Sequence, residues 1–247
     1  TYLTETPLVS LFMASPLTLG LDADDTLWEN QARFDAAQAK LRDLLSPWVQ
    51  GEVVDETLLN IERNNVKLYG YGVKSFTLSS IQAAVELTNG EITADLTTAI
   101  IESGWWIIEH PVEILPEVAE TLKILSNDYE LLLITKGDPA DQYKKINASG
   151  LSHYFMGIEV VQEKDPETYL ELLERHTVEV KDFVMVGNSV PSDVLPILSI
   201  QGRAIHIPHH STWGHEQVDE SVAASFNFPV IETFSQLPNI LATFSEN

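Results

Sequence analysis

The chain contains no cysteine, which excludes disulfides, catalytic thiols and cysteine-ligated zinc. It is also short of positive charge. Lysine and arginine together number 14 against 37 aspartates and glutamates, a formal net charge of −23 at pH 7. Such a surface repels phosphate backbones, so nucleic acid is not an expected partner. The same charge serves solubility. It also means that an anionic substrate needs a local positive site, from a metal, lysines or helix N-termini, against an adverse overall field. No apolar run approaches the roughly 20 residues of a membrane span, and no membrane partner is expected. Residues 1–16 hold a short apolar stretch without the basic flank of a signal peptide. An N-terminal arm and a cytoplasmic location are the expectation for this end.

What is present is enough apolar material, 44% of 247 residues, for a large domain with an insert. After a first strand-like segment, residues 29–110 show only helical patterning. Phe34, Ala37, Leu41 and Leu45 recur at helical spacing up to Pro47, and Val53, Leu58, Ile61 and Val66 form a second stripe ended by Gly70-Tyr71-Gly72. Residues 75–87 predict a third helix, and a fourth starts at Thr93 or Asp95. Beyond residue 111 helices alternate with apolar strands at 130–135, 157–161, 183–187 and 203–207, with a short strand candidate at 229–231 and a last helix over 233–244. Alternation of this kind predicts an α/β fold with a parallel sheet covered by helices on both faces, ligands sitting beyond the carboxyl ends of the strands. The expected division is a core of residues 1–30 and 111–247 with an inserted helical bundle at 31–110.

Four segments at expected strand ends carry chemistry. The first, Leu21-Asp22-Ala23-Asp24-Asp25-Thr26-Leu27-Trp28, delivers three carboxylates and a hydroxyl into one turn. Crowding acids is unfavourable unless a cation or protons offset the repulsion. An ordinary Asp-rich turn is the alternative. The second, Thr135-Lys136-Gly137-Asp138-Pro139, ends a strand in a hydroxyl and starts a helix with Asp138 as N-cap and Pro139 at N1. Lys136 there reads as solvent-facing or as a phosphate-binding group. The third, Glu163-Lys164-Asp165-Pro166, repeats the Asp-Pro helix start behind a lysine. The fourth, Gly187-Asn188-Ser189-Val190-Pro191-Ser192-Asp193, follows the 183–187 strand, and Ser192-Asp193 also suits a helix N-cap.

In their order these segments resemble the motifs of the haloacid dehalogenase (HAD) superfamily, in its phosphatase branch with a helical cap inserted after the first strand. The resemblance implies a Rossmann-like core and a Mg²⁺-dependent phosphomonoester hydrolase acting on a small phosphorylated metabolite. Asp22 would be the nucleophile that forms an aspartyl-phosphate, and Asp24 the general acid and base. That acid role calls for a pKa raised by the anionic neighbourhood of Asp24. Thr135 and Lys164, with Lys136 beside them, would bind the phosphoryl oxygens. Asp22, the backbone carbonyl of Asp24, Asn188 and Asp193 would hold Mg²⁺. Asn188 departs from the family, which has aspartate there, and opens a weakly active phosphate- or Mg²⁺-binding module as an alternative. A phosphomutase shares Asp22 and Asp24. A 2-haloacid dehalogenase is disfavoured by the carboxylate at Asp24. The chain is expected to act as a monomer or homodimer.

Other residues carry two readings each. His206, His209, His210 and His215 form a rim loop or a zinc site, and Trp105-Trp106 pack the hinge or make a substrate platform. Trp28 lines the leaving-group pocket or simply packs. Arg33, Arg63, Lys67 and Lys74 are candidates for touching an anionic leaving group. Asp25 has no assigned role.

Overall fold

A computed structural model describes residues 17–211 and 227–244. The calls on the N-terminal arm and on His215 lie outside those residues. β1 (Thr18–Leu21) leads through the acidic turn into four consecutive helices, α1 (Gln31–Leu45), α2 (Gly51–Tyr69), α3 (Val73–Leu87) and α4 (Ala94–Glu109). The chain then continues as α5 (Val118–Leu125), β2 (Glu130–Lys136), α6 (Pro139–Ser149), β3 (Gly157–Val161), α7 (Pro166–Arg175) and β4 (Phe183–Gly187). It closes with α8 (Leu195–Ser199), β5 (Arg203–His206) and α9 (Leu237–Ala242). The five strands pair in parallel in the order β3-β2-β1-β4-β5. β1 is therefore central, and the segments after β1, β2, β3 and β4 all emerge at one edge of the sheet.

Alternation along the strands builds two separate apolar layers. Leu131 and Leu133 point with Leu19, Leu21, Val184 and Val186 to the side covered by α5 and α9. Leu132 and Ile134 point with Phe183 and Met185 to the side covered by α7 and α8. The four inserted helices bury their own core around Leu41, Leu45, Leu58, Phe76 and Ile100. Two connectors join insertion and sheet and pair with each other, Glu29 N–H to the Glu113 carbonyl (2.9 Å) and Leu115 N–H to the Leu27 carbonyl (3.0 Å).

Three of the caps expected from the sequence are made, while the one expected at Ser192-Asp193 falls on Ser189, whose hydroxyl accepts the Ser192 N–H at 3.3 Å. Thr93, Asp138 and Asp165 each accept the backbone N–H three residues on. Several element boundaries differ. Residues 229–231 contribute one bridge from Val230 to His206 rather than a strand. The helix expected around residue 193 starts as a π turn, Val190–Val194, and the one expected over 233–244 as a 3₁₀ turn, Phe234–Gln236, closed by a Thr233–Gln236 capping box. Trp105 and Trp106 are 58% and 44% exposed, because α4 buries Leu96, Ile100, Gly104 and Ile107 and turns the tryptophans outward. They do not pack the hinge.

Candidate active site

Asp22 stands where β1 ends, its N–H bonded to the Val186 carbonyl of β4 at 2.9 Å. Its carboxylate is buried and takes one bond on each oxygen, from Lys164 Nζ on Oδ1 (2.5 Å) and from Thr26 Oγ1 on Oδ2 (2.9 Å). Lys164 Nζ also donates to Asp193 Oδ1 at 2.7 Å, so one buried ammonium bridges two buried carboxylates. Asp193 is seated by Ser189 N–H on Oδ2 (2.9 Å). Its approach demands glycine at 187, where a Cβ would lie 2.2 Å from Asp193 Oδ2. Asn188 joins the cluster through Thr26, its N–H donating to Thr26 Oγ1 (3.1 Å) while its Oδ1 lies 3.3 Å from that hydroxyl. Segments 22–26, 164 and 188–193, far apart in sequence, thus converge on Asp22.

Asp24 is held by groups the sequence reading did not single out. Lys145 Nζ donates to both its oxygens (2.7 and 2.6 Å), Gln142 Nε2 to Oδ2 (2.8 Å) and the buried Trp28 indole N–H to Oδ1 (2.7 Å). Trp28 is thus neither a pocket wall nor mere packing. Gln142, Lys145 and Ile146 form the buried face of α6. Two polar residues on the sheet-facing stripe of a helix were the available signal. Gly137, at φ 147°, completes the grip: a Cβ there would lie 2.8 Å from Gln142 Nε2.

The electrostatics differ from the expectation for Asp24. Burial pushes its carboxyl up, but the charge of Lys145 and the bonds from Lys145, Gln142 and Trp28 outweigh burial and hold it below its usual value. The raised groups are its neighbours. Burial lifts Asp22 to about 6, opposed by Lys164 and assisted by Asp193. Burial lifts Asp25 to about 7, opposed by its bonds from Gln31 and Asn30. Asp25 adopts φ 61° and accepts the N–H groups of Asn30 and Gln31 at 2.8 and 2.9 Å, capping α1, whose own N-cap side chain makes no such bond. That is the role the sequence left unassigned.

Thr135 is buried at the end of β2 and lines the same cleft. Lys136 is not solvent-facing. Its side chain is 12% exposed, its ammonium donates to Ser192 Oγ (2.9 Å) and lies 4.2 Å from the Tyr71 ring centroid. The cleft between sheet edge and insertion encloses about 920 Å³ including its open mouth. His206 bonds the Asn188 carbonyl (2.9 Å), and burial lowers its pKa. Glu29, His209 and His210 bring one ligand atom each within 4.8 Å of one another, next to Asp25.

The two most strongly raised carboxyls, with Asp141 of α6 shifted the same way, fix a sign for pH dependence that the lowered His206 opposes in part below its ordinary 6.5. Between the ordinary 3.8 and about 6 to 7 the folded protein holds protons that the unfolded chain has released, so stability falls as pH rises through that window. Asp24, shifted the other way, contributes its loss only below 3.8. In EDTA the melting temperature is expected to drop on the order of 5 °C from about pH 5 to about pH 8, read by thermal denaturation. A flat or rising curve would contradict a burial cost at these two positions that exceeds what Lys164 and the Asn30 and Gln31 N–H groups return.

A parallel sheet with an acidic turn at the end of its central strand, and a helical insertion directly behind it, is a Rossmann-like α/β domain with its polar cluster at the carboxyl ends of the strands. Residues 18–199 match the family described as haloacid dehalogenase-like hydrolase, and the chain belongs to that family. Among solved structures it is similar to a haloacid dehalogenase-like family hydrolase from Xanthomonas campestris, at 36% identity and TM-score 0.82, over 94% of this chain and 92% of that one. It is also similar to a 2-haloacid dehalogenase from Pseudomonas syringae pv. Tomato DC3000, at 25% identity and TM-score 0.59, over 93% and 99% of the two chains. The magnesium-bound HAD-hydrolase YfnB from Bacillus subtilis shares the fold at 17% identity and TM-score 0.64, over 92% and 98%. No curated protein matches the chain. Among the described residues no helix is long and apolar enough to cross a membrane.

Proposed function

We propose that the protein hydrolyses small phosphate monoesters through an aspartyl-phosphate on Asp22, the helical insertion serving as a cap over the cleft. The observation that carries this reading is the grip on Asp24. A second carboxylate stands two residues from the proposed nucleophile and is bonded on both oxygens to an ammonium, so a proton acceptor and a proton donor are paired beside the reacting position. Displacing a halide needs no protonated leaving group; displacing an alkoxide does.

In the first step a carboxylate oxygen of Asp22 attacks phosphorus and the ester P–O bond breaks. The departing alkoxide takes a proton from the hydrogen-bonded Asp24–Lys145 pair. In the second step that pair regains its proton from water as the water attacks phosphorus and the bond from phosphorus to Asp22 breaks, releasing inorganic phosphate and restoring Asp22, Asp24 and Lys145. Lys164, Thr135 and Lys136 compensate the phosphoryl oxygens. Asp22 titrates near 6, so it is ionised and nucleophilic above that pH. The donors around it are hard oxygens, from Asp22, Asn188, Asp193 and the Asp24 carbonyl, and two carboxylates there share a single ammonium. This set suits Mg²⁺. Bound there, Mg²⁺ supplies charge compensation for the nucleophile and the transferring phosphoryl group.

The test is phosphate release from p-nitrophenyl phosphate with Mg²⁺ present, alongside halide release from 2-chloropropionate. Phosphate with no halide is expected. Halide release without phosphate would overturn the reading in favour of dehalogenation.

A further inference from the structure

We propose that the alcohol portion of the substrate carries no second anionic group, and that the protein acts on phosphates of uncharged or amine-bearing alcohols. This rests on the phosphatase reading above. The inference comes from where the lysines and arginines of the chain lie. Residues 1–16, 212–226 and 245–247 contain neither lysine nor arginine, so all 14 basic residues of the chain lie among the described residues. Three of them line the cleft, Lys136, Lys145 and Lys164, and all three come from the sheet side.

Each of the three is committed to the reacting end. Lys164 bridges Asp22 and Asp193, and Lys145 holds Asp24. Lys136 follows Thr135 and donates to Ser192 beside Asp193, and where it meets the Tyr71 ring its charge is matched by Glu163 at 3.5 Å. One phosphoryl group accounts for them. The insertion, which roofs the leaving-group side, brings no cation. Arg33 is buried and donates to the Pro111 carbonyl, Arg42 pairs with Asp55, and Lys74 pairs with Asp138. Lys40, Arg63 and Lys67 are exposed and outside the cleft. The roof instead presents Phe34, Val66, Tyr71, Phe76 and the buried carboxyl-bearing Glu62.

An anion placed under this roof meets apolar rings and the Glu62 carboxyl away from bulk water, with no lysine or arginine of the insertion lining the cleft to offset its charge. A neutral polyol or an ammonium meets no such opposition, and its carbon skeleton packs on the rings. The excluded class includes hydroxy-acid phosphates and bisphosphates. It also includes 2-haloacids, whose carboxylate would need a partner there.

The experiment uses matched pairs with Mg²⁺: glycerol 3-phosphate against 3-phosphoglycerate, and ethanolamine phosphate against phosphoglycolate. Within each pair kcat/KM is expected to be at least about tenfold higher for the ester without the carboxylate. A pair that is not turned over is compared through competitive inhibition of p-nitrophenyl phosphate hydrolysis, with the same ranking expected. Equal or reversed ranking overturns the proposal while leaving the phosphatase reading intact. If p-nitrophenyl phosphate itself is inert, the phosphatase reading falls, and the proposal with it. Val66→Lys, which places a cation on the roof, is expected to shrink the preference severalfold, and Glu62→Gln serves the same purpose if that variant does not fold. An unchanged preference in a folded variant removes the roof charge as its cause.

Discussion

Asp22→Asn is expected to lower kcat on p-nitrophenyl phosphate by on the order of 10³-fold or more, while the folded protein survives. The amide keeps the shape of the carboxylate, its one oxygen accepting from Lys164 and its NH2 donating to the Thr26 hydroxyl, but it lacks the charged oxygen that the proposed attack on phosphorus needs. Stability should not suffer. The native carboxyl is raised to about 6 chiefly by burial, so its ionised form opposes folding at neutral pH, and a neutral amide removes that opposition. Lys164 keeps Asp193 as its counter-ion at 2.7 Å. Steady-state kinetics and a thermal melt at about pH 8 decide the matter together. Substantial turnover in a folded variant would rule out Asp22 as the nucleophile.

Lys164→Met should do the reverse to stability. The side chain is 3% exposed and its ammonium is the cation between Asp22 and Asp193, themselves 7% and 1% exposed. Methionine fills much of the volume but leaves two buried carboxylates facing each other. Breaking a buried ion pair by removing one member costs roughly 3–5 kcal/mol. For a chain of this size that corresponds to a melting temperature about 10 °C lower. Activity is expected to fall on the order of 10²-fold or more, since a positioned charge aimed at the phosphoryl oxygens is lost. The stability loss should be smaller at about pH 5, where a shared proton replaces the ammonium. A variant melting like the parent in EDTA at about pH 8 would show that the ammonium does not compensate these carboxylates.

The four acidic or polar turns were legible because each is local: an apolar strand, then a few residues whose side chains can only emerge at the sheet's edge. The α/β alternation and the Asp-Pro helix starts were legible for the same reason. The surroundings of Asp24 were not, since Gln142 and Lys145 lie 118 and 121 positions away. Reading the acids of the turn as one repelling crowd led to a raised pKa for Asp24. A lysine on α6 reverses that direction, and the rise falls on Asp22 and Asp25 instead. The expectation that Arg33, Arg63, Lys67 or Lys74 reaches a leaving group gave way for a related reason. Helical periodicity separates buried from exposed faces but does not tell which face of a bundle looks down on a neighbouring sheet. Asp25 reads as a third redundant acid until α1 is seen to start on it.

Helix α6 works as a lever arm. On its outer side Asp138 meets Lys74 of α3 at 2.8 Å and Lys144 reaches the Ile108 carbonyl of α4 at 2.9 Å, while its inner side carries Gln142 and Lys145 to Asp24. One helix and its N-cap therefore touch two helices of the insertion and the Asp24 carboxylate. Any displacement of the insertion that drags or frees the helix is transmitted to Asp24 without direct contact between them.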